Sequence, residues 1–593
     1  MKFRTLLLPL LFALTSQAQI HYEVNCNGLD YPELDGGRTE LEFADINQDG
    51  NPDIVSIGDH GSPFFNTDQH GVMVWFGDGQ GNFDVQQTGD FGYGGIATGD
   101  VNNDGNLDVG YGMHHNYSGV DLGDQLIEVA LGDGSGTAWI PWDDGLASNG
   151  EDWGMFGTDF GDVDNDGDLD IVSISFGGSA GLHVYTNHMD GTWSQSFGFL
   201  GGNSDEIVLF GDINNDGFLD IAAGHQFGTA YFGDGTGDFE NRDDNLPESS
   251  YSLKGIDLGD ADNDGGKDLS FINENGAPEV WHWSNANNQW EDISGSLPDS
   301  GEYEMTALAD MDIDGNVDLV AYGSGSGTIW LGDGSGQWEE TTNFSTAEEG
   351  SCQALRAGSD TDHNGHPDIA LVAEVPEGMF MYQNYLYGLR ETSVAEDLSV
   401  SGLYPGGDEI FYSGSIRCIR WITEVPGNDS SWIDIALSLN GASGPWNTVA
   451  QNIPDNGRYQ WTIPEANTEN GLLRYTVHTQ QSQQTYTMQQ PFTIVHETTT
   501  RINSSDAADT KRLKIYPNPA NRYVVLKSTS CAAAGKAFLE ITDLTGKKWL
   551  TSHTGKVYLQ GSIKIPVAKL PVGTYIISLQ TPHSTCRNLF IKK

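Results

Sequence analysis

Basic residues are scarce in this chain. Only 12 Lys and Arg precede residue 501, against 81 Asp and Glu, a balance of -69. The last 93 residues hold 15 basic and 4 acidic groups, or +11, so the whole comes to -58. A surface as acidic as the first 500 residues repels phosphate backbones and anionic lipid heads, which argues against nucleic acid and peripheral membrane partners. Cysteine is scarcer still: five in 593 residues make no disulfide framework, and the odd count leaves at least one unpaired. Long apolar runs are missing too. No stretch reaches the ~20 residues that cross a bilayer, so no transmembrane segment is expected. Aromatics are not lacking, at 10% of residues with 15 Trp, and they separate this chain from acidic disordered ones. Gly stands at 76, nearly double the usual share of about 7%. Many turns, many aromatics and few long apolar runs describe an all-β protein, and at roughly 100–200 residues per domain the length makes three to five domains.

Residues 1–18 read as a secretory leader. Lys2 and Arg4 form its charged start, Leu6 to Leu14 its apolar stretch, and Ser16-Gln17-Ala18 a small-residue cleavage site. Export permits disulfides, and two pairings are open: Cys26 with Cys352, and Cys531 with Cys586. Free buried thiols are the alternative.

Self-similarity decides the fold. The string D-x-[DN]-x-[DN]-G-x-x-D occurs seven times, starting at Asp45, Asp100, Asp162, Asp212, Asp260, Asp310 and Asp360, with spacings of 55, 62, 50, 48, 50 and 50 residues. An apolar β-former follows each copy, and about 20 residues later several repeats carry an echo: VWFGDGQGNF, VALGDGSGTAW, AYFGDGTGDF and IWLGDGSGQW. A unit of ~50 residues with about four short strands is a propeller blade, and seven blades close a ring.

The loop suits calcium, which takes six to eight hard oxygens. Positions 1, 3, 5 and 9 are the ligands, and Gly at 6 permits the sharp turn. In the first three copies they are Asp45, Asn47, Asp49 and Asp53; Asp100, Asn102, Asp104 and Asp108; and Asp162, Asp164, Asp166 and Asp170. The next two copies supply Asp212, Asn214, Asp216 and Asp220, then Asp260, Asp262, Asp264 and Asp268. The last two supply Asp310, Asp312, Asp314 and Asp318, then Asp360, Asp362, Asn364 and Asp368. Up to seven structural Ca2+ are expected, with the Asn364 loop the weakest. An EF-hand starts alike but ends with Glu at 12 on a helix; here position 10 opens a strand.

These seven copies, from about residue 20 to 390, resemble the FG-GAP/VCBS repeat propellers, the architecture also seen in integrin α-chain heads. The resemblance implies a seven-bladed β-propeller over 19–390 with calcium in its loops. It leaves function open, because the family includes adhesins, lectin-like binders and parts of polysaccharide-degrading proteins.

Beyond the repeats, residues 391–497 alternate short strands with Gly, Pro and Asn turns, the pattern of an immunoglobulin-like β-sandwich with Trp421 and Trp461 in its core. A spacer is the first reading of this domain and a small carbohydrate-binding module the second. Residues 498–511 are a polar linker. The segment 512–593 contains Tyr516-Pro517-Asn518-Pro519, Asp543 through Gly546-Lys547, Leu570 through Gly573-Thr574-Tyr575 and the terminal Lys592-Lys593. It resembles the C-terminal sorting domain of the type IX secretion system. That resemblance implies a small β-sandwich, a Bacteroidota-type bacterium, the type IX machinery as partner, and delivery to the outer cell surface or the medium.

A ligand is expected on the propeller face opposite the calcium loops, where the second-to-third strand connections and the links between blades lie. Candidates there are His60, His114, His115, Tyr117, Trp153, Phe176, His225 and Phe227, since rings stack on sugar C–H faces and imidazoles fix hydroxyls. Packing at blade junctions is the competing role for half or more of them. No H-E-x-x-H helix and no Cys/His pair marks catalysis. The leading reading is a secreted or cell-surface binding protein, an adhesin or a glycan- or protein-recognition propeller without enzymatic activity. The alternative is a polysaccharide lyase using His114, His115 and Tyr117 as base and acid.

Overall fold

The computed structural model describes residues 20–29, 39–58, 71–86, 94–113, 125–151, 154–176, 181–247, 252–347, 350–378 and 381–496, and seven stretches between 513 and 592. The repeats fold as seven four-stranded antiparallel sheets. Blade 1 is typical: Glu42–Ala44 runs inward to the first Asp-rich loop, and Asp53–Gly58, Gly71–Gly77 and Phe83–Gln86 follow outward in order. The innermost strands of successive blades are neighbours, and that of the seventh also touches that of the first, so the ring is complete.

Closure uses the two ends of the repeat region. The last repeat supplies only three strands, Ser351–Ser359, Asp368–Gly378 and Met381–Glu391, and the N-terminal strand Tyr22–Asn25 completes that blade from outside. Its register pairs Tyr22 with Glu391 and Asn25 with Gly388. Two halves of one sheet thus come from residues more than 300 positions apart, which covers an edge and joins the ring by backbone hydrogen bonds.

This arrangement corrects one proposed disulfide. Cys26 follows the outermost strand of blade 7, whereas Cys352 lies on its innermost strand; neither forms a disulfide, the first being exposed and the second buried. Three strand spacings of about 4.8 Å separate the two edges, well beyond the ~7 Å Cα limit for a disulfide. The Cys531–Cys586 pairing falls outside the described residues, as do the leader and the 498–511 linker.

In several blades the apolar residue after the loop pairs with a third-strand aromatic: Ile54 with Trp75, Ile171 with Tyr185, Ile221 with Tyr231, Leu319 with Trp330. These aromatics are almost fully buried between neighbouring blades. Truncating one, such as Trp75, would cost about 3–5 kcal/mol. Carboxylates tie the inner strands together: Phe210 N donates to Asp159 Oδ2 at 2.7 Å, and Leu308 N to Asp257 Oδ2 at 2.7 Å.

Residues from Ser399 to Val495 form a sandwich of a three-stranded and a larger sheet, with Trp421 and Trp461 buried inside. Together with the propeller it belongs to one compact unit ending at residue 497. The second unit, from 498, contains two sheets. Leu513–Tyr516, Tyr523–Ser528 and Ile563–Pro566 make one; Lys548–Thr554, Ala537–Asp543, Gly573–Gln580 and Thr585–Lys592 make the other.

Candidate metal centres

All seven loops adopt one backbone course. Position 4 is left-handed in every copy (Gln48, Asn103, Asn165, Asn215, Asn263, Ile313 and His363, φ between 50° and 59°), and the glycine at position 6 follows with φ between 88° and 95°. The first carboxylate closes this turn: Asp45 accepts from Asp49 N and Gly50 N, both at 3.0 Å, and its six counterparts accept the same pair. The final carboxylate binds loop to blade. Asp53 accepts Ile46 N at 2.9 Å from within its loop and Gly77 N at 2.8 Å from the end of the third strand. Asp108, Asp220 and Asp318 repeat this with Gly132, Gly233 and Gly332. The Gly-Asp-Gly echo in the sequence is therefore the loop's hydrogen-bond partner. A Cβ on Gly77 would lie 2.2 Å from Pro52 O, which is why glycine recurs there.

Position 4 has a task that the sequence did not reveal. Gln48 donates to Gly105 O at 3.0 Å, Asn215 to Asp264 O at 3.1 Å and Asn263 to Asn316 Oδ1 at 2.8 Å, each reaching the next loop around the ring. Ile313 breaks the chain, being β-branched in a left-handed conformation that such residues avoid. Ile313→Asn should raise unfolding free energy by about 1 kcal/mol by removing that strain and restoring a donor. A urea melt with an unchanged or lower midpoint would refute it.

The candidate ligand oxygens gather. Carboxylate oxygens of Asp162, Asp164 and Asp170 lie within 4.8 Å of one another, as do those of Asp260, Asp262 and Asp264, of Asp310, Asp312 and Asp318, and of Asp360, Asp362 and Asp368. Asp164 Oδ1, Asn214 Oδ1 and Asp362 Oδ1, all at position 3, are buried acceptors without a hydrogen-bond donor. Burial pushes the Asp53 carboxyl up to about 8, and those of Asp108 and Asp310 to about 7; Asp170, Asp268 and Asp318 are raised as well. Buried oxygens of one sign, some with no donor, fit a hard cation: these clusters can hold a metal ion.

One loop carries a rival charge. Arg390, on the third strand of blade 7, lies 3.6 Å from Asp362 Oδ2, and Asn364 in that loop spends its amide on Glu391 O at 2.9 Å. Blades 2 and 6 carry Leu131 and Leu331 at the matching position. Arg390→Leu should tighten cation binding at this loop about five- to tenfold, the scale of one repulsive charge at a few ångströms screened as in water. Calorimetric titration of the variant checks it, and unchanged affinities would count against it.

The second domain sits on this loop face. Ile416 N donates to Asp162 Oδ2 at 2.9 Å and Asn456 Nδ2 to Asp45 Oδ2 at 3.0 Å, so sandwich atoms touch loop carboxylates directly. Arg417 reaches Gly217 O at 2.8 Å, Arg458 reaches Thr98 Oγ1 at 3.0 Å, and Gln460 pairs with the backbone of Asp100. Tyr412 stacks on Phe218 at 4.6 Å. A cavity of about 290 Å³, lined by Glu42, Asp257, Arg356, Arg420 and Arg458 among others, remains between the domains at the mouth of the central channel. A signal for this docking did exist. Of ten Lys and Arg between residues 19 and 500, Arg417, Arg420 and Arg458 fall within 42 positions of the sandwich.

The opposite face carries a cleft among the described residues. There the starts of inner strands and the second-to-third strand connections surround a cleft of about 960 Å³, lined by Asp205, Lys254, Asn273, Asn275, Tyr303 and Glu304 among others. Phe176 and Phe227 on this side are 42% and 56% exposed. His225 differs from expectation. It is buried, both ring nitrogens are engaged with Gly201 O and Phe227 N, and desolvation lowers its pKa to about 4. It shapes a turn and presents nothing to a ligand. His60, His114, His115, Tyr117 and Trp153 lie outside the described residues.

The repeat geometry has a counterpart among known families. The FG-GAP-like repeat matches residues 45–111, 162–223 and 310–371, and the secretion system C-terminal sorting domain matches 514–593. The chain thus carries FG-GAP-like repeats and a C-terminal sorting domain. That tail directs export by type IX secretion to the cell surface or extracellular space. No curated protein matches the FG-GAP chain. Among solved structures it is similar to Saccharomyces cerevisiae Sqt1 (12% identity, 66% of this chain and 100% of that one, TM-score 0.35). It is also similar to the Malassezia sympodialis allergen Mala s 1 (10% identity, 60% and 92%, TM-score 0.24). Among the described residues no helix is long and apolar enough to cross a membrane.

Proposed function

We propose that this protein is an exported, calcium-stabilised recognition propeller that binds an extracellular glycan or protein without transforming it. The observation that carries the reading is the placement of the sandwich. It occupies the loop face and leaves the opposite face, with its open cleft and exposed Phe176 and Phe227, as the surface a ligand can reach. Calcium is assigned a structural task, since every loop donor is a hard oxygen apart from one neighbouring imidazole and the cages lie under the sandwich. A neutral or cation-bridged ligand suits a body of -69 better than a polyanion does.

A glycan array run beside a panel of polysaccharides tests this. Saturable binding that falls at least about tenfold in Tyr303→Ala or Phe227→Ala, with no new reducing ends or unsaturated products, is the expected result. Calcium-dependent turnover would replace the reading with a lyase, and its loss in a His114→Ala, His115→Ala double variant would assign the acid–base pair.

A further inference from the structure

Blade 5 departs from the other six in a way that bears on which metal it takes. In each blade, one third-strand residue follows the partner of the apolar residue after the loop. These residues are Phe76, Leu131, Thr186, Phe232, His282, Leu331 and Arg390. Arg390 shows that a long side chain here reaches position 3 of the loop, and His282 does the same. Its Nδ1 lies 2.8 Å from Asp262 Oδ2. The atom is out of solvent and makes no aligned hydrogen bond, while Nε2 faces Glu291 Oε2 at 3.5 Å. Donor atoms of Asp262, Asp268 and His282 lie within 4.8 Å of one another, and those of Asp260, Asp262 and Asp264 form an overlapping set.

We infer that blade 5 holds a mixed nitrogen–oxygen site, with His282 Nδ1 as a ligand beside the loop carboxylates, and that it takes a borderline divalent metal of the zinc kind in preference to calcium. The inference rests on reading the loops as cation sites. Calcium's ligands are oxygens, and an imidazole adds nothing to its hold. Zinc and its neighbours bind neutral imidazole together with carboxylate, and affinity for such donors rises along the first transition row. The other ring nitrogen faces a carboxylate, the outer partner that fixes a ligating histidine's tautomer and orientation. The remaining blades have no nitrogen ligand at this position: five carry an apolar residue or Thr, and blade 7 an arginine.

Zn2+ titrated calorimetrically into the full-length chain held in excess Ca2+ tests this. The expected result is one Zn2+ site that displaces Ca2+ from a single loop and weakens about tenfold or more in His282→Phe. That variant installs the residue blades 1 and 4 already carry, and circular dichroism shows whether it folds. Co2+ gives a second reading: its visible spectrum changes with loss of an imidazole ligand in His282→Phe if the inference holds. Normal Ca2+ uptake with no such Zn2+ site, or with a site indifferent to His282→Phe, overturns the inference and leaves the calcium reading standing. Absence of Ca2+ uptake overturns that reading instead, and a His282-dependent Zn2+ site would then still support a metal at blade 5.

Discussion

Chelation should lower the melting temperature of the propeller unit by about 10–20 °C, and added Ca2+ should restore it. A cation held at about a hundred times its dissociation constant adds about 2.7 kcal/mol, so seven sites contribute up to roughly 19 kcal/mol. A unit of about 480 residues has an unfolding entropy that converts each kcal/mol into about 1 °C. The pH response should reverse between the two states. Without metal, the loop carboxyls have folded pKa values raised by burial, Asp53 to about 8 and Asp108 and Asp310 to about 7. Such groups contribute stability that is present below their unfolded value of about 4 and is lost as pH rises through the folded value. The chelated protein should therefore melt lower at about pH 8 than at about pH 5. With Ca2+ the ionised form is favoured, protons compete with the metal, and the order inverts. Scanning calorimetry at the two pH values, with Ca2+ or EDTA, reads all four temperatures. Equal temperatures with and without EDTA would remove calcium from the loops.

Deleting residues 512–593 should abolish surface delivery while leaving the first unit folded and able to bind its metal. The sorting domain belongs to a compact unit of its own, and a polar stretch from 498 to 511 joins it to the rest. Cutting there separates a body of -69 from a tail of +11. The same linker is expected to be the processing point, so secreted protein should end near residues 500–511. Cell fractionation of the truncated strain and intact mass of the wild-type product measure the two halves. A truncated chain on the surface would refute the sorting role, and a product intact through Lys593 would refute processing.

Much of the fold was legible because a repeat states the same physics seven times. Asp, Gly and the following β-former recur in phase, so the blade, its loops and the number of blades could all be read along the chain. The ligand face was less legible. Phe176 and Phe227 are exposed as their loop positions suggested, but His225 in the same kind of connection turns inward and fills a space beside Phe199. Residue type and loop position do not fix which way a side chain points; neighbouring blades do. Position 4 was invisible for another reason. Its identity varies among Gln, Asn, Ile and His, and only a backbone held at positive φ shows that the place is special.

The sequence by itself determined the local matters: which segments are strands, which turns need glycine, where the loop carboxylates cluster, and that the last domain carries an export address. Each depends on residues close together in the chain, where spacing is geometry. Only the tertiary structure decided what depends on distant residues. Tyr22–Asn25 completes the blade that ends at Glu391, which separates Cys26 from Cys352 and keeps them from forming a disulfide. Ile416 and Asn456 come to rest on Asp162 and Asp45, so the sandwich covers the loop face of the ring. Contacts across hundreds of residues form when complementary surfaces meet after the local elements exist, and no spacing along the chain encodes where that meeting occurs.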